Sequence, residues 1–203
     1  SAYVSMTNTQ DRGAARVLLA SRSGRVARGG QGLAAQLDAL GDRADVVACD
    51  CADLRDVRAL LARGRRVVSV LHAAGTLRDG MLRSMANVDV ETSFAPKATA
   101  ASHLHGATSQ TPLEAAALFS SVAATFGNVG QANYAAANAY MDCTALGRRL
   151  CGRAWCSLQI AAVSGAGMGA STLGAARLES IGAISLATFA TCLARALVPA
   201  RAA

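Results

Sequence analysis

Aromatic residues make up only 4% of the 203-residue chain. With so few rings, the 52% hydrophobic content has to form a core of Ala, Val and Leu packed at close approach. Long apolar runs are missing too. None reaches membrane-spanning length, and the N-terminal residues lack the charged-then-apolar layout of a signal peptide, so no membrane association is expected. The six cysteines form no CxxC and match no zinc spacing. Several fall inside expected strands or helices, where a thiol behaves as a small apolar group. A reducing, cytoplasmic setting is expected, with no disulfide framework and no metal. The net charge of +7 is scattered rather than gathered into a stripe with interleaved aromatics, so no nucleic-acid partner is expected. Lysine is nearly absent. Of the 20 Lys and Arg residues only Lys97 is a lysine. A chain that uses arginine wherever a cation will do marks, at Lys97, a place where a compact ammonium is needed. No internal repeat, low-complexity tract or interdomain linker occurs.

What is present alternates. Short apolar segments read as strands at Ala2–Met6, Arg16–Ala20, Ala44–Cys49, Arg66–Leu71, 115–119 and Ala154–Ile160. Helical periodicity falls at Gly32–Leu40, Leu54–Ala62, Val88–His105, Gln131–Leu150, 173–183 and 185–197. Asp53 is placed to cap the second of these helices. Strands alternating with helices imply a parallel sheet covered on both faces, a Rossmann-like, doubly wound α/β fold in three layers. Ligands in such sheets bind beyond the C-terminal strand ends, where Ser21, Asp50, His72 and Ser120-Ser121 fall.

The chemistry concentrates in residues 119–138. A strand ends in Ser120-Ser121, a loop carries Gly127 and Gly130, and a small-residue helix then presents Tyr134 and Asn138 one turn apart. A serine hydroxyl at a strand end and a tyrosine at a helix start can converge on one carbonyl oxygen. For a nucleotide, Arg22 in Ser-Arg-Ser is a cation placed to meet a ribose 2′-phosphate, and Asp50 can accept from an adenine amino group. A pyrophosphate needs a glycine turn directly after the first strand. No glycine follows Met6 before Gly13. Gly30-Gln-Gly32 lies too far from a strand end, and Gly165-Ala-Gly167 has no βαβ unit after it.

Together the stretches Leu-Leu-Ala-Ser-Arg-Ser-Gly24, Cys-Asp-Cys-Ala-Asp53, Leu-His-Ala-Ala-Gly75, Phe-Ala-Pro-Lys97, Leu-Phe-Ser-Ser-Val-Ala123 and Gly-Gln-Ala-Asn-Tyr-Ala-Ala-Ala-Asn138 resemble the ketoreductase domain of modular polyketide synthases, within the short-chain dehydrogenase/reductase superfamily. They occur in family order over nearly the whole chain. Most short-chain reductases carry Tyr-x-x-x-Lys. Here Asn138 holds that position and the lysine sits upstream as Lys97, an exchange typical of polyketide ketoreductases and related fatty-acid synthase domains. The resemblance implies one catalytic domain over residues 1–203, part of a larger multidomain synthase. It implies NADPH-dependent reduction of a β-ketoacyl thioester carried by phosphopantetheine on an acyl carrier protein, with other synthase domains in cis.

The same resemblance assigns roles. Tyr134 protonates the developing alkoxide, Lys97 lowers the tyrosine's pKa, and Ser121, thirteen residues before Tyr134, hydrogen-bonds the carbonyl. Asn138 positions Lys97 or a water of the proton relay. Ser21, Arg22, Ser23, Asp50, Cys51, His72, Ala73, Ala74 and Gly75 line the cofactor. Asp79, Phe126 and Gln131 belong to substrate and stereocontrol. Leu77-Arg78-Asp79 keeps the last aspartate of the D-hydroxy type, and Phe126 stands where the opposite type has Trp.

Several family features are missing. The glycine-rich loop and most of the first helix are absent between the first two strands. Asn8–Ala15 is too short for a parallel crossover, so Ala2–Met6 is not expected to pair as the first strand. Ile160-Ala161 replaces the usual Trp-Gly, and no last strand is recognisable after Leu197. The non-catalytic half that normally precedes the reductase half is not in the chain. Two readings follow: an active ketoreductase, or a degenerate domain with a structural or carrier-docking role and no cofactor. A stand-alone reductase of free small molecules is disfavoured by the Lys97/Asn138 arrangement.

Overall fold

The computed structural model describes residues 4–8, 16–26, 33–63, 67–164, 179 and 182–197. Six strands form one sheet: β1 (Val4–Asn8), β2 (Arg16–Ser21), β3 (Ala44–Ala48), β4 (Ser69–His72), β5 (Ala115–Ser121) and β6 (Trp155–Ile160), in the order β3-β2-β1-β4-β5-β6. The described α-helices are α1 (Leu33–Leu40), α2 (Leu54–Leu61), α3 (Asn87–Phe94), α4 (Ala100–Ala107), α5 (Ala123–Phe126), α6 (Ala132–Leu150) and α7 (Leu186–Leu197). The strand order is the one expected for a Rossmann-like sheet.

One strand runs backwards. β2–β3, β4–β5 and β5–β6 pair in parallel, but β1 is antiparallel to both neighbours, with Asn8 opposite Arg16 and Val4 opposite His72. The connection is too short for a parallel crossover but long enough for a hairpin. The expectation that this segment would not pair as the first strand is thus corrected: it fills the central position by reversing direction. Its start, not its end, therefore lies at the edge of the sheet where the functional loops gather.

The helix expected over Val88–His105 is three pieces, α3, a π-helical turn at Ala95–Thr99 and α4. Pro96 lies in that turn; it has no N–H to give an α-helix and its ring crowds the preceding turn, which the wider π geometry accommodates. Asp53 accepts a hydrogen bond from the Arg55 amide and caps α2, as its position suggested.

The core lies between the sheet and α2, α4 and α6. Val57, Leu60, Val70, Leu104, Leu118 and Met141 pack there with Ala100, Ala101, Ala116 and Ala145, so small residues let the layers close as composition required. Along β5 the alternation of faces separates two layers: Ser120 donates to the Asn138 carbonyl of α6, while Phe119 meets Phe189 of α7 edge to face at 5.7 Å. All six cysteines are free thiols. Among the described residues, no helix is long and apolar enough to cross a membrane. The glycine-rich stretch after Ser164, most of the amphipathic piece 173–183 and the residues after Leu197 lie outside the described residues.

Candidate active site

The site forms where the C-terminal ends of β4 and β5 meet the π-turn and the start of α6. Tyr134 lies in the first turn of α6 and is buried. Asn138, one turn later and fully buried, donates through Nδ2 to the Tyr134 carbonyl at 2.8 Å; its Oδ1 has no partner among the described residues. Ser121 closes β5, and its hydroxyl oxygen accepts from the Ala123 amide at 3.2 Å. Its neighbour Ser120 donates to the Asn138 carbonyl on the other side of the strand.

Lys97 comes from the π-turn and is only 2% exposed. Its ammonium donates to the Phe119 carbonyl at 3.0 Å and lies 5.1 Å from the centroid of the Tyr134 ring, a cation–π contact. Burial pushes its pKa down to about 8, and the carboxylate of Asp142 opposes that fall. Asp142 lies two turns beyond Tyr134 on α6 and accepts from Ser157 and Gln159 of β6. The tyrosine departs from expectation. Burial is the largest influence on Tyr134 and raises its pKa; Ser121 and Asn138 pull it back, and Asp79 adds to the rise.

A polar web fixes the rim. Gln131 donates to Asp79 at 3.0 Å and accepts from Asn128 at 3.1 Å. The Gly80 amide donates to the Gly130 carbonyl at 2.8 Å; Gly130 has φ +77, a left-handed conformation that suits glycine. Asn133, which carried no role in the sequence reading, is 3% exposed and donates to the Arg78 carbonyl, the Asp89 carbonyl and Ser93 Oγ. Its place directly before Tyr134 in Gln-Ala-Asn-Tyr was the available signal. Phe126 is 81% exposed beside this rim.

A sequence profile of the KR domain matches residues 4–165. The chain belongs to the KR domain family. It is 45% identical over 145 residues to the polyketide synthase GfsB of Streptomyces halstedii, covering 70% of the chain and 3% of that protein. It is 40% identical over 179 residues to the spectinabilin polyketide synthase protein NorB of Streptomyces orinoci, covering 86% of the chain and 8% of that protein. A solved A1-type ketoreductase superposes with a TM-score of 0.82 at 33% identity, over 92% of this chain and 40% of that one. The first ketoreductase of the tylosin synthase superposes at 0.77 and 35% identity, over 89% and 40%. The KR domain described here thus spans a small fraction of its synthase relatives.

The residues expected around the cofactor divide into three groups. Arg22 and Ser23 are exposed on the turn after β2. That turn is closed by Gly24, whose φ is +61 and where a Cβ would stand 2.8 Å from the Ala48 nitrogen, so only glycine fits. Asp50 follows β3; its carboxylate accepts from the Ala52 amide and its own amide donates to Asp56. Ala73, Ala74 and Gly75 continue from β4 along the same edge, Ala74 being buried. Ser21, Cys51 and His72 are turned inward instead. Ser21 donates to the Arg25 carbonyl, Cys51 sits in the core with Sγ 4.0 Å from that of Cys49, and His72 is fully buried. The pyrophosphate end has no counterpart among the described residues, since β1 runs away from this edge. The stretches Gly30–Gly32 and Gly165–Gly167 lie outside them.

Proposed function

We propose that this KR domain is the catalytic part of a larger synthase and reduces a β-ketoacyl thioester, carried on an acyl carrier protein, to the β-hydroxyacyl thioester with NADPH. The observation that carries the reading is the chain's single lysine, buried against the ring of the tyrosine that the strand-end serine also faces. The lining fits NADPH at its adenosine end, where Arg22 would meet the 2′-phosphate and Asp50 the adenine. When bound, the cofactor supplies hydride to the carbonyl carbon.

The chain's own groups handle the oxygen. Ser121 would hydrogen-bond the carbonyl oxygen as charge develops on it, and Tyr134 would deliver its phenolic proton to that oxygen. Burial keeps the phenol protonated at neutral pH. Loss of the proton leaves a phenolate beside the Lys97 ammonium, which stabilises it. The unpartnered Oδ1 of Asn138 offers an acceptor for a water that returns the proton. The match to polyketide synthases supports the thioester substrate.

The test is an NADPH fluorescence titration of the full-length polypeptide, followed by turnover of a β-ketoacyl thioester with the carrier-bound substrate as reference. Saturable binding and thioester reduction are expected. No saturable binding at millimolar NADPH would overturn the reading, and reduction of free ketones alone would replace it with a stand-alone reductase.

A further inference from the structure

His72 ends β4 and stands between Val4 of β1 and Leu118 of β5 in the sheet. It is 0% exposed. Its Nε2 lies 3.3 Å from the carbonyl oxygen of Lys97, while Nδ1 has no partner among the described residues. The groups that bear on this pair come from two elements: the Lys97 ammonium itself from the π-turn, and Tyr134 and Asp142 from α6. Burial and the nearby ammonium push the His72 pKa down to about 4, so the ring is neutral at physiological pH and carries one N–H. A carbonyl only accepts, so the tautomer that satisfies this contact carries its proton on Nε2; the Pro96 backbone is the other main-chain partner near the ring. A fully buried ring with its N–H spent on protein is not available to line a cofactor.

We propose that His72 is a positioning residue for Lys97: its Nε2–H holds the lysine's carbonyl in the π-turn, so that the ammonium reaches both the Phe119 carbonyl and the Tyr134 ring. The lysine is thereby held at both ends, its main chain by β4 and its side chain by β5. A π-turn can relax into regular helix, and such a shift of register would swing the residue 97 side chain about the helix axis. The histidine is the side-chain contact that ties that carbonyl to the sheet. The proposal rests on the reductase reading for its effect on turnover, but not for its geometry.

The test uses the full-length polypeptide with His72→Gln, His72→Asn and His72→Leu. The glutamine amide nitrogen can occupy the Nε2 position, whereas the asparagine nitrogen falls near Nδ1. His72→Gln should keep kcat within about threefold of wild type, while His72→Asn and His72→Leu lose about tenfold or more, with KM for NADPH changed less than about twofold. Acetic anhydride labelling of Lys97, read by mass spectrometry, needs no turnover and should rise about fivefold in His72→Asn but not in His72→Gln. If His72→Leu does not fold, the Gln and Asn variants decide. A large rise in KM for NADPH with kcat kept would make His72 a cofactor ligand and overturn the proposal, as would equal behaviour of Gln and Asn. If wild type shows no reduction, the functional reading fails while the labelling still decides the histidine's role; equal Lys97 labelling in wild type and His72→Asn overturns it.

Discussion

The Lys97 ammonium lies 5.1 Å from the centre of the Tyr134 ring while its hydrogen bond goes to the Phe119 carbonyl. The pair therefore joins three elements, the π-turn, β5 and α6, at one buried point.

The buried lysine should leave a signature in stability. Its pKa falls from 10.5 to about 8 on folding. Between those values the unfolded chain holds a proton that the folded chain has released, so stability rises with pH across that window. Below about pH 8 both states are protonated and the cost of burying the charge, on the order of a few kcal/mol, is fully present. Urea unfolding at a series of pH values should show this rise in wild type and not in Lys97→Met. Parallel curves for the two proteins would contradict it.

Removing the phenol should separate chemistry from binding. Tyr134→Phe is expected to lower kcat roughly 10²–10⁴-fold, the range for a general acid, with NADPH affinity unchanged. Ser121→Ala should cost roughly 10²–10³-fold, as for one oxyanion donor. Steady-state kinetics with a fluorescence titration checks both; loss of cofactor binding in either variant would count against the assigned roles.

Asn133 should matter to stability more than its small size suggests. Asn133→Ala leaves two carbonyls and a serine hydroxyl without their donor, at a cost of about 1–3 kcal/mol. Denaturant unfolding measures the loss. A change below about 0.5 kcal/mol would show that water replaces the amide there.

The Asp79–Gln131 contact is exposed, so its loss should leave stability nearly unchanged, within about 0.5 kcal/mol. Its expected effect is on product configuration. Wild type is expected to give mainly the D-hydroxy product, and Asp79→Ala to lower the stereochemical ratio, as read by chiral chromatography. An unchanged ratio would remove Asp79 and Gln131 from substrate orientation.

Much of this protein is readable along the chain because it depends on local spacing. The helix of Tyr134 and Asn138 lies where periodicity places it, Asp53 caps α2 as its residue type suggests, and the strand expected over 115–119 extends to Ser121. Lys97 stands out by rarity alone in a chain rich in arginine. Other features could not be read that way. A histidine at a strand end looks the same in sequence whether it faces ligand or core; only the fold shows the His72 ring fully buried with Nε2 by the Lys97 carbonyl. Asn133 looked like any polar residue of a helix start, since its three acceptors come from segments 40 to 55 positions away.

The sequence by itself determined the family and the Rossmann-like fold class, because motif order and local periodicity carry them. Only the tertiary structure decided the direction of β1, the face on which the lysine meets the tyrosine and the sign of the tyrosine's pKa shift. The physical reason is common to all three. A strand's direction depends on what its neighbours and its connection allow, and a charge's effect depends on the burial and hydrogen bonds around it; both are set by groups far apart in the chain.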